Sequence, residues 1–221
     1  MITCQEILSR IEIIFFDFDG VIKESVEIKA LAFSEIFSKY GRNVQKKVRH
    51  HHSLNSGVSR SKKFIFYYKE YLGVDLSESE LQECSDKFSE IVVKQVIASK
   101  WVPNVLSFLE RLRENHECYV VTATPQSEIE HILNELGINS FFRGVFGAPS
   151  EKSEIMQSII RESQFTTEKF LMIGDGLTDY YAAQKVGVQF LLRETTENTE
   201  LFKNIQCHRI ADFSEPIFDE A

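Results

Sequence analysis

Ile13-Ile14-Phe15-Phe16-Asp17-Phe18-Asp19-Gly20-Val21 decides the reading of this chain. The apolar run reads as a buried strand. It ends in two carboxylates one residue apart, followed by a glycine. Side chains two apart on an extended chain point the same way, so Asp17 and Asp19 face one site if that conformation persists to Asp19. Two anions held together repel unless a cation lies between them or one takes a proton. The pattern points either to a Mg²⁺ site or to a nucleophile beside an acid.

Downstream of Val21 the periodicity is helical. Val26 to Tyr40 carries Ile28, Leu31, Ala32 and Ile36 at helical spacing and stops at Gly41. Phe64, Tyr67, Tyr68 and Tyr71 form a second stripe before Gly73, which reads as the packing face of a small helical bundle. Ser77 and Glu80 make a capping-box pattern for a helix that buries Leu81, Cys84, Phe88, Ile91 and Val92. No strand pattern stands out between Val26 and Ser99.

From Pro103 onward helix and strand alternate. The expected strands are Cys118-Tyr119-Val120-Val121, Phe170-Leu171-Met172-Ile173 and Val188 to Leu192. Helices are expected after Pro103, after Pro125, from Lys152, and from Leu177 to Val186 with closure at Gly187. Apolar strands alternating with helices imply a parallel sheet covered on both faces. The fold class is therefore α/β, a Rossmann-like parallel sheet core with an inserted all-helical cap domain. The expected boundaries are 1–22 and 100–221 for the core and 23–99 for the cap.

Composition narrows the function classes. A net charge of −8 argues against general nucleic-acid binding. No apolar stretch approaches the length of a membrane span, and Met1 to Arg10 lacks the pattern of a secretion signal. The expectation is a soluble, cytoplasmic protein without membrane or nucleic-acid partners. Cys4, Cys84, Cys118 and Cys207 are scattered, as expected of free thiols. From Gly41 to Lys69 there is no acidic residue, while Arg, Lys and the run His50-His51-His52 accumulate. That stretch reads as a solvated basic surface or as a face that attracts an anionic substrate.

In such sheets ligands bind at the carboxyl ends of the strands. Four pieces fall there: Asp17-Phe18-Asp19-Gly20-Val21, Thr122 in Val121-Thr122-Ala123-Thr124-Pro125, Lys152 after Gly147-Ala148-Pro149, and Gly174-Asp175-Gly176-Leu177-Thr178-Asp179. Together they resemble the four ordered motifs of the haloacid dehalogenase (HAD) superfamily, whose members are mostly phosphatases. The likeness spans about residues 11 to 192, and the helical insertion looks like the C1-type cap of that superfamily.

The resemblance implies roles. Asp17 is the nucleophile that forms an aspartyl phosphate. Asp19 protonates the leaving oxygen and then deprotonates the attacking water. Mg²⁺ is held by the Asp17 carboxylate, the Asp19 backbone carbonyl and Asp175, with Asp179 bonding a metal water or orienting Lys152. Thr122, the Ala123 amide and Lys152 bind the phosphoryl group. Relatives more often carry an Asp near Glu24 and a Pro after the motif lysine, where this chain has Ser153. In the cap, Arg60 of Ser56-Gly57-Val58-Ser59-Arg60 is a candidate for contacting the substrate.

The expected activity is Mg²⁺-dependent hydrolysis of a small phosphorylated metabolite, of sugar phosphate or phosphoglycolate type, by a monomer or weak homodimer. A sugar phosphomutase of the same fold and a non-catalytic phosphate-ligand binding protein are the alternatives. Asp19 argues against a dehalogenase, which has no leaving oxygen to protonate. A phosphonate hydrolase would require a cap lysine, and nothing in the sequence selects Lys46 or Lys47 for that role.

Overall fold

All four residues of β1 (Ile13–Phe16) are buried, so the strand shows no polar alternation. In the computed structural model, which describes residues 8–214, β1 lies at the middle of a parallel sheet. The other strands are β2 (Glu117–Pro125), β3 (Gly144–Ala148), β4 (Phe170–Gly174), β5 (Gln189–Arg193) and β6 (His208–Ile210). The six-stranded order is β3-β2-β1-β4-β5-β6. Phe15 pairs with Tyr119 of β2 on one side and Met172 of β4 on the other.

The side-chain period of two splits β1 between two cores. Ile14 and Phe16 join one core with α5 (Val105–Leu112) and α6 (Gln126–Glu135). Ile13 and Phe15 join the other with α7 (Lys152–Glu162) and α8 (Leu177–Val186). The order in which successive strands are added reverses at β1, with β2 and β3 to one side and β4 to β6 to the other. That switch point is where an open α/β sheet leaves a crevice at its carboxyl edge.

Between β1 and α5 the chain makes α1 (Val26–Ile36), α2 (Arg42–Leu54), α3 (Arg60–Tyr67), a wide turn at Tyr68–Leu72, and α4 (Glu78–Ala98). These helices pack on Phe33, whose ring centroid lies 4.3 Å from Phe88 and 5.2 Å from Phe64. The Ser77–Glu80 capping box starts α4 as its sequence predicts. The two connections to the sheet run side by side: Val102 N donates to Ile22 O at 3.1 Å, and Glu24 N donates to Lys100 O at 2.9 Å. The Phe64–Tyr71 stripe packs inside this bundle.

Two strands escape the sequence reading. β3 is Gly144-Val145-Phe146-Gly147-Ala148, a half-buried edge strand interrupted by glycine. β6 is three residues long and begins His208-Arg209. Neither presents the apolar run by which the inner strands are recognised. The helix expected over Val26 to Tyr40 ends at Ile36 and passes into a tighter turn at Ser38–Tyr40. Cys84, Cys118 and Cys207 are free thiols, and Cys4 lies outside the described residues.

The insertion is fastened to the sheet domain by a buried ion pair. Arg60 of α3 pairs with Glu128 of α6, and each side chain is 5% exposed. Ser89 of α4 completes the network, receiving from Arg60 Nη1 at 2.5 Å and donating to Glu128 at 2.7 Å. Removing one member of such a pair leaves the other charge buried and uncompensated, at roughly 3–5 kcal/mol. Glu128→Gln should therefore lower unfolding stability by that order, and Arg60→Met combined with Glu128→Met should recover most of it. Urea unfolding midpoints test this; a single-variant loss below about 1 kcal/mol would mean the pair does not fasten the two parts.

Candidate active site

Asp17 follows β1 directly, and its backbone N–H donates to Ile173 O at 3.0 Å, which extends the sheet ladder by one residue. Asp17 is thereby held on the rim, 4% exposed. Its Oδ1 accepts from Phe18 N at 2.7 Å, and its Oδ2 lies 3.0 Å from Lys152 Nζ. Gly20 turns the chain back with φ +76°; a Cβ there would lie 2.4 Å from Asp175 Oδ2. Only glycine permits both the left-handed backbone and that close approach.

Asp175 follows β4, and Asp179 lies on the first turn of α8. One carboxylate oxygen from each of Asp17, Asp175 and Asp179 lies within 4.8 Å of the others. Asp179 is fully used by the protein: Oδ1 accepts from Lys152 at 2.5 Å and Oδ2 from Gly176 N at 3.0 Å. Asn198 Nδ2 donates to the Asp175 backbone carbonyl at 2.8 Å and so fixes the strand end. Among the described residues no side chain or backbone N–H donates to the Asp175 carboxylate.

The electrostatics follow from this arrangement. One buried ammonium faces three buried carboxylates, which leaves two negative charges unbalanced. Burial pushes the Asp17 pKa up to about 6, against the pull of Lys152 and with the push of Asp179. Burial, then Asp17 and Asp179, hold Asp175 well above the ordinary carboxylate range. Burial alone would lower Lys152, but Asp17 and Asp179 outweigh it and raise its pKa. All-oxygen donors with a two-charge deficit, one of them lacking any protein donor, fit a hard divalent cation such as Mg²⁺.

Asp19 stands apart, in a different network. Its Oδ1 accepts from Ser25 Oγ at 2.6 Å, and its Oδ2 accepts from Thr124 Oγ1 at 3.1 Å and from Lys29 Nζ of α1. Lys29 also donates to Thr124 Oγ1 at 2.7 Å. Burial raises the Asp19 pKa, but Lys29, Ser25 and Thr124 more than offset it and hold it below the usual value. Thr122 is 1% exposed, and its Oγ1 accepts from Thr124 N at 3.3 Å, which leaves its own proton to donate.

The site is roofed by the helical insertion. The cavity between them has a volume of about 30 Å³, space for a water or two. Beside it a cleft of about 280 Å³ opens toward Lys152, and Thr122 and Ala123 line both. Gly57 permits the roof to seat this closely: a Cβ there would lie 1.8 Å from Thr178 Oγ1 of α8.

The structure thus brings together Asp17, Lys152, Asp175 and Asp179, with Asp19, Thr122 and Ala123 on the same cavity. Arg60 lines that cavity as well, but its guanidinium is engaged with Glu128 and Ser89. Lys46 and Lys47 are exposed. The three histidines do not share a site: His50 is exposed, His51 stacks on Phe66, and His52 is buried. Lys29, Thr124 and Asn198 escaped the sequence reading. Only the spacing of Thr124 from Thr122 offered a signal there.

Stability should report the charge deficit. For a carboxylate whose folded pKa lies above its unfolded value, the folded state binds more protons, so stability falls as pH rises through that window. For Asp17 the window runs from 3.8 to about 6. Saturating Mg²⁺ should raise Tm by roughly 5–10 °C near pH 7.5 and far less near pH 5, where protons already relieve the site. Asp175→Asn should raise the metal-free Tm at neutral pH and erase the response. Equal Mg²⁺ effects at both pH values would refute the account.

Comparison with known proteins identifies the family and the fold. The profile of haloacid dehalogenase-like hydrolases matches residues 14–192. A phosphoglycolate phosphatase from Pseudomonas putida is 25% identical over 186 residues, covering 80% of this chain and 67% of that protein. β-Phosphoglucomutase from Clostridium difficile superposes with a TM-score of 0.72 at 18% identity, covering 91% of each chain. YfnB from Bacillus subtilis, solved bound to magnesium, superposes with a TM-score of 0.67 at 18% identity, covering 93% of this chain and 96% of that one. Matched over residues 14–192, from β1 through β5, this chain belongs to the haloacid dehalogenase-like hydrolases.

Proposed function

We propose that this hydrolase is a Mg²⁺-dependent phosphatase that cleaves a small soluble phosphomonoester through an aspartyl phosphate on Asp17. The carrying observation is the single buried lysine set against three buried carboxylates, with Asp17 at 3.0 Å from it. Lys152 holds the Asp17 oxygen in place and offsets charge on an incoming phosphoryl group. The bound cation, held by Asp17, Asp175 and the Asp19 backbone carbonyl, would screen the repulsion between phosphate and carboxylate. Asp179 acts from behind by orienting Lys152.

In the first step an Asp17 oxygen bonds to phosphorus, the ester P–O bond breaks, and the departing oxygen takes a proton from Asp19. In the second step water attacks the phosphorus, its proton goes to Asp19, and Asp17 is released with inorganic phosphate. Thr122 Oγ and the Ala123 amide donate to the phosphoryl oxygens. The ionised Asp19 held by Lys29 suits the second step. For the first, Lys29 must release it. Residues 23–99 act as a cap over this site, and the exclusion of water by the roof follows from the small volume beneath it.

A sugar phosphate or phosphoglycolate fits the scale of the two adjoining cavities. The P. putida relative carries the second of these in its name. A phosphomutase reading draws support from the β-phosphoglucomutase fold, and product isomerisation without phosphate release would favour it. The protein is read as cytoplasmic, acting as a monomer or weak homodimer. No helix among the described residues is long and apolar enough to cross a membrane.

Asp17→Asn should reduce phosphate release by on the order of 10³-fold or more. Asp19→Asn should lose about 10²–10⁴-fold on alkyl phosphates, and much less on an aryl phosphate whose leaving group needs no proton. Steady-state assays with both substrates decide the matter: full activity in Asp17→Asn removes the covalent route, and equal losses in Asp19→Asn remove the acid role.

A further inference from the structure

Three cations of the insertion line the small cavity: Lys29, Arg60 and Lys63. Lys29 is paired with Asp19 and Arg60 with Glu128. Lys63 has no carboxylate partner among the described residues. It is 2% exposed, and its Nζ donates to His52 Nδ1 at 2.9 Å and to Ser56 O at 3.0 Å. A buried ammonium without a counter-ion is costly, and two neutral acceptors offset only part of that. Burial pushes its pKa down to about 7, with Lys29 adding repulsion.

His52 supports the lysine rather than competing with it. Burial, Lys63 and Lys29 hold the His52 ring well below its ordinary pKa, so it is neutral and Nδ1 is free to accept. The ring packs at 5.2 Å on Phe33, the hub of the insertion. Lys63 is thereby positioned on the roof of the cavity whose floor is Asp17, Thr122 and Asp175.

We propose that Lys63 is the specificity-determining residue of this site and takes the carboxylate of a short phosphorylated acid whose phosphoryl group lies at Asp17. The proposal rests on the phosphatase reading above and narrows its substrate class. An anion supplies the charge that Lys63 lacks. Arg60, unlike Lys63, already has a carboxylate partner in Glu128.

The test compares 2-phosphoglycolate, ethyl phosphate and a sugar bisphosphate. Calorimetric dissociation constants are measured with Mg²⁺ on the Asp17→Asn protein, alone and combined with Lys63→Met or Lys29→Met, and phosphate release is followed on the natural chain. The acid should bind about ten- to a hundredfold tighter than ethyl phosphate, which lacks the carboxylate, the range of one charge-assisted hydrogen bond. Lys63→Met should bring that ratio near one, and Lys63→Arg should restore part of it. A ratio near one without any change at Lys63, a tighter bisphosphate, or a ratio that collapses only with Lys29→Met overturns the proposal. Absence of phosphate release from all three compounds would sink the phosphatase reading alone, because the binding ratio still decides the role of Lys63.

Discussion

The arrangement depends on a charge imbalance that the protein leaves in place around Lys152. A single ammonium cannot neutralise Asp17, Asp175 and Asp179 together. Burial forbids water from doing so, and each carboxylate is anchored to a strand end or helix start that cannot retreat. The tension is spread unevenly. Asp179 is satisfied by Lys152 and the Gly176 amide, while the Asp175 carboxylate has no protein donor among the described residues. The unsatisfied group faces the cavity. A site built this way is completed by a divalent cation or by protons, and it is least stable when it has neither.

The sheet is what makes that imbalance possible. Asp17 and Asp175 stand at the ends of adjacent parallel strands, β1 and β4, locked in register from Ile13–Phe170 to Phe16–Ile173. Lys152 enters from the first residue of α7, across the sheet's second core. Moving either aspartate outward would require breaking a fully buried ladder. Backbone rigidity therefore substitutes for the counter-charges that a softer site would gather from solvent.

The inner strands and the four chemical motifs were legible because both rest on local pattern. An unbroken apolar run ending in a carboxylate marks a central parallel strand, whatever lies elsewhere in the chain. Residues that act through tertiary contact carry no such mark. Lys29 reads as one more lysine on an amphipathic helix, and its contact with Asp19 exists only because α1 folds back over β1. Glu128 reads as a first-turn acid suited to a helix N-terminus, yet it is buried against Arg60. The basic stretch from Gly41 to Lys69 was visible as charge, but not its division into exposed residues such as Arg42, Lys46 and Lys47 and the buried pair Arg60 and Lys63. Arg42, Lys46 and Lys47 lie on α2, whereas Arg60 and Lys63 lie on the face of α3 that meets Phe88 and Phe33. The edge strands β3 and β6 were hidden for a related reason: an edge strand needs one apolar face, and a short one supplies too few residues to display it.

Charge is also segregated between the two parts of the molecule. The sheet domain brings the carboxylates and one lysine; the insertion brings lysines whose natural partners are the anions below. In the structure Lys29 already occupies Asp19, and the cavity leaves room for little more than a water or two. An anionic substrate therefore enters in competition with an existing ion pair. On the mechanism proposed above, a phosphoryl group at Thr122 and Lys152 would offer Lys29 an alternative partner. Asp19 would then lose the contact that holds its pKa down, at the step for which an ester oxygen needs a proton. Return of that contact on emptying would restore the ionised form that the proposed base step requires. On that mechanism one lysine on the roof would tie the protonation state of Asp19 to occupancy of the phosphate site, with no change needed in the sheet.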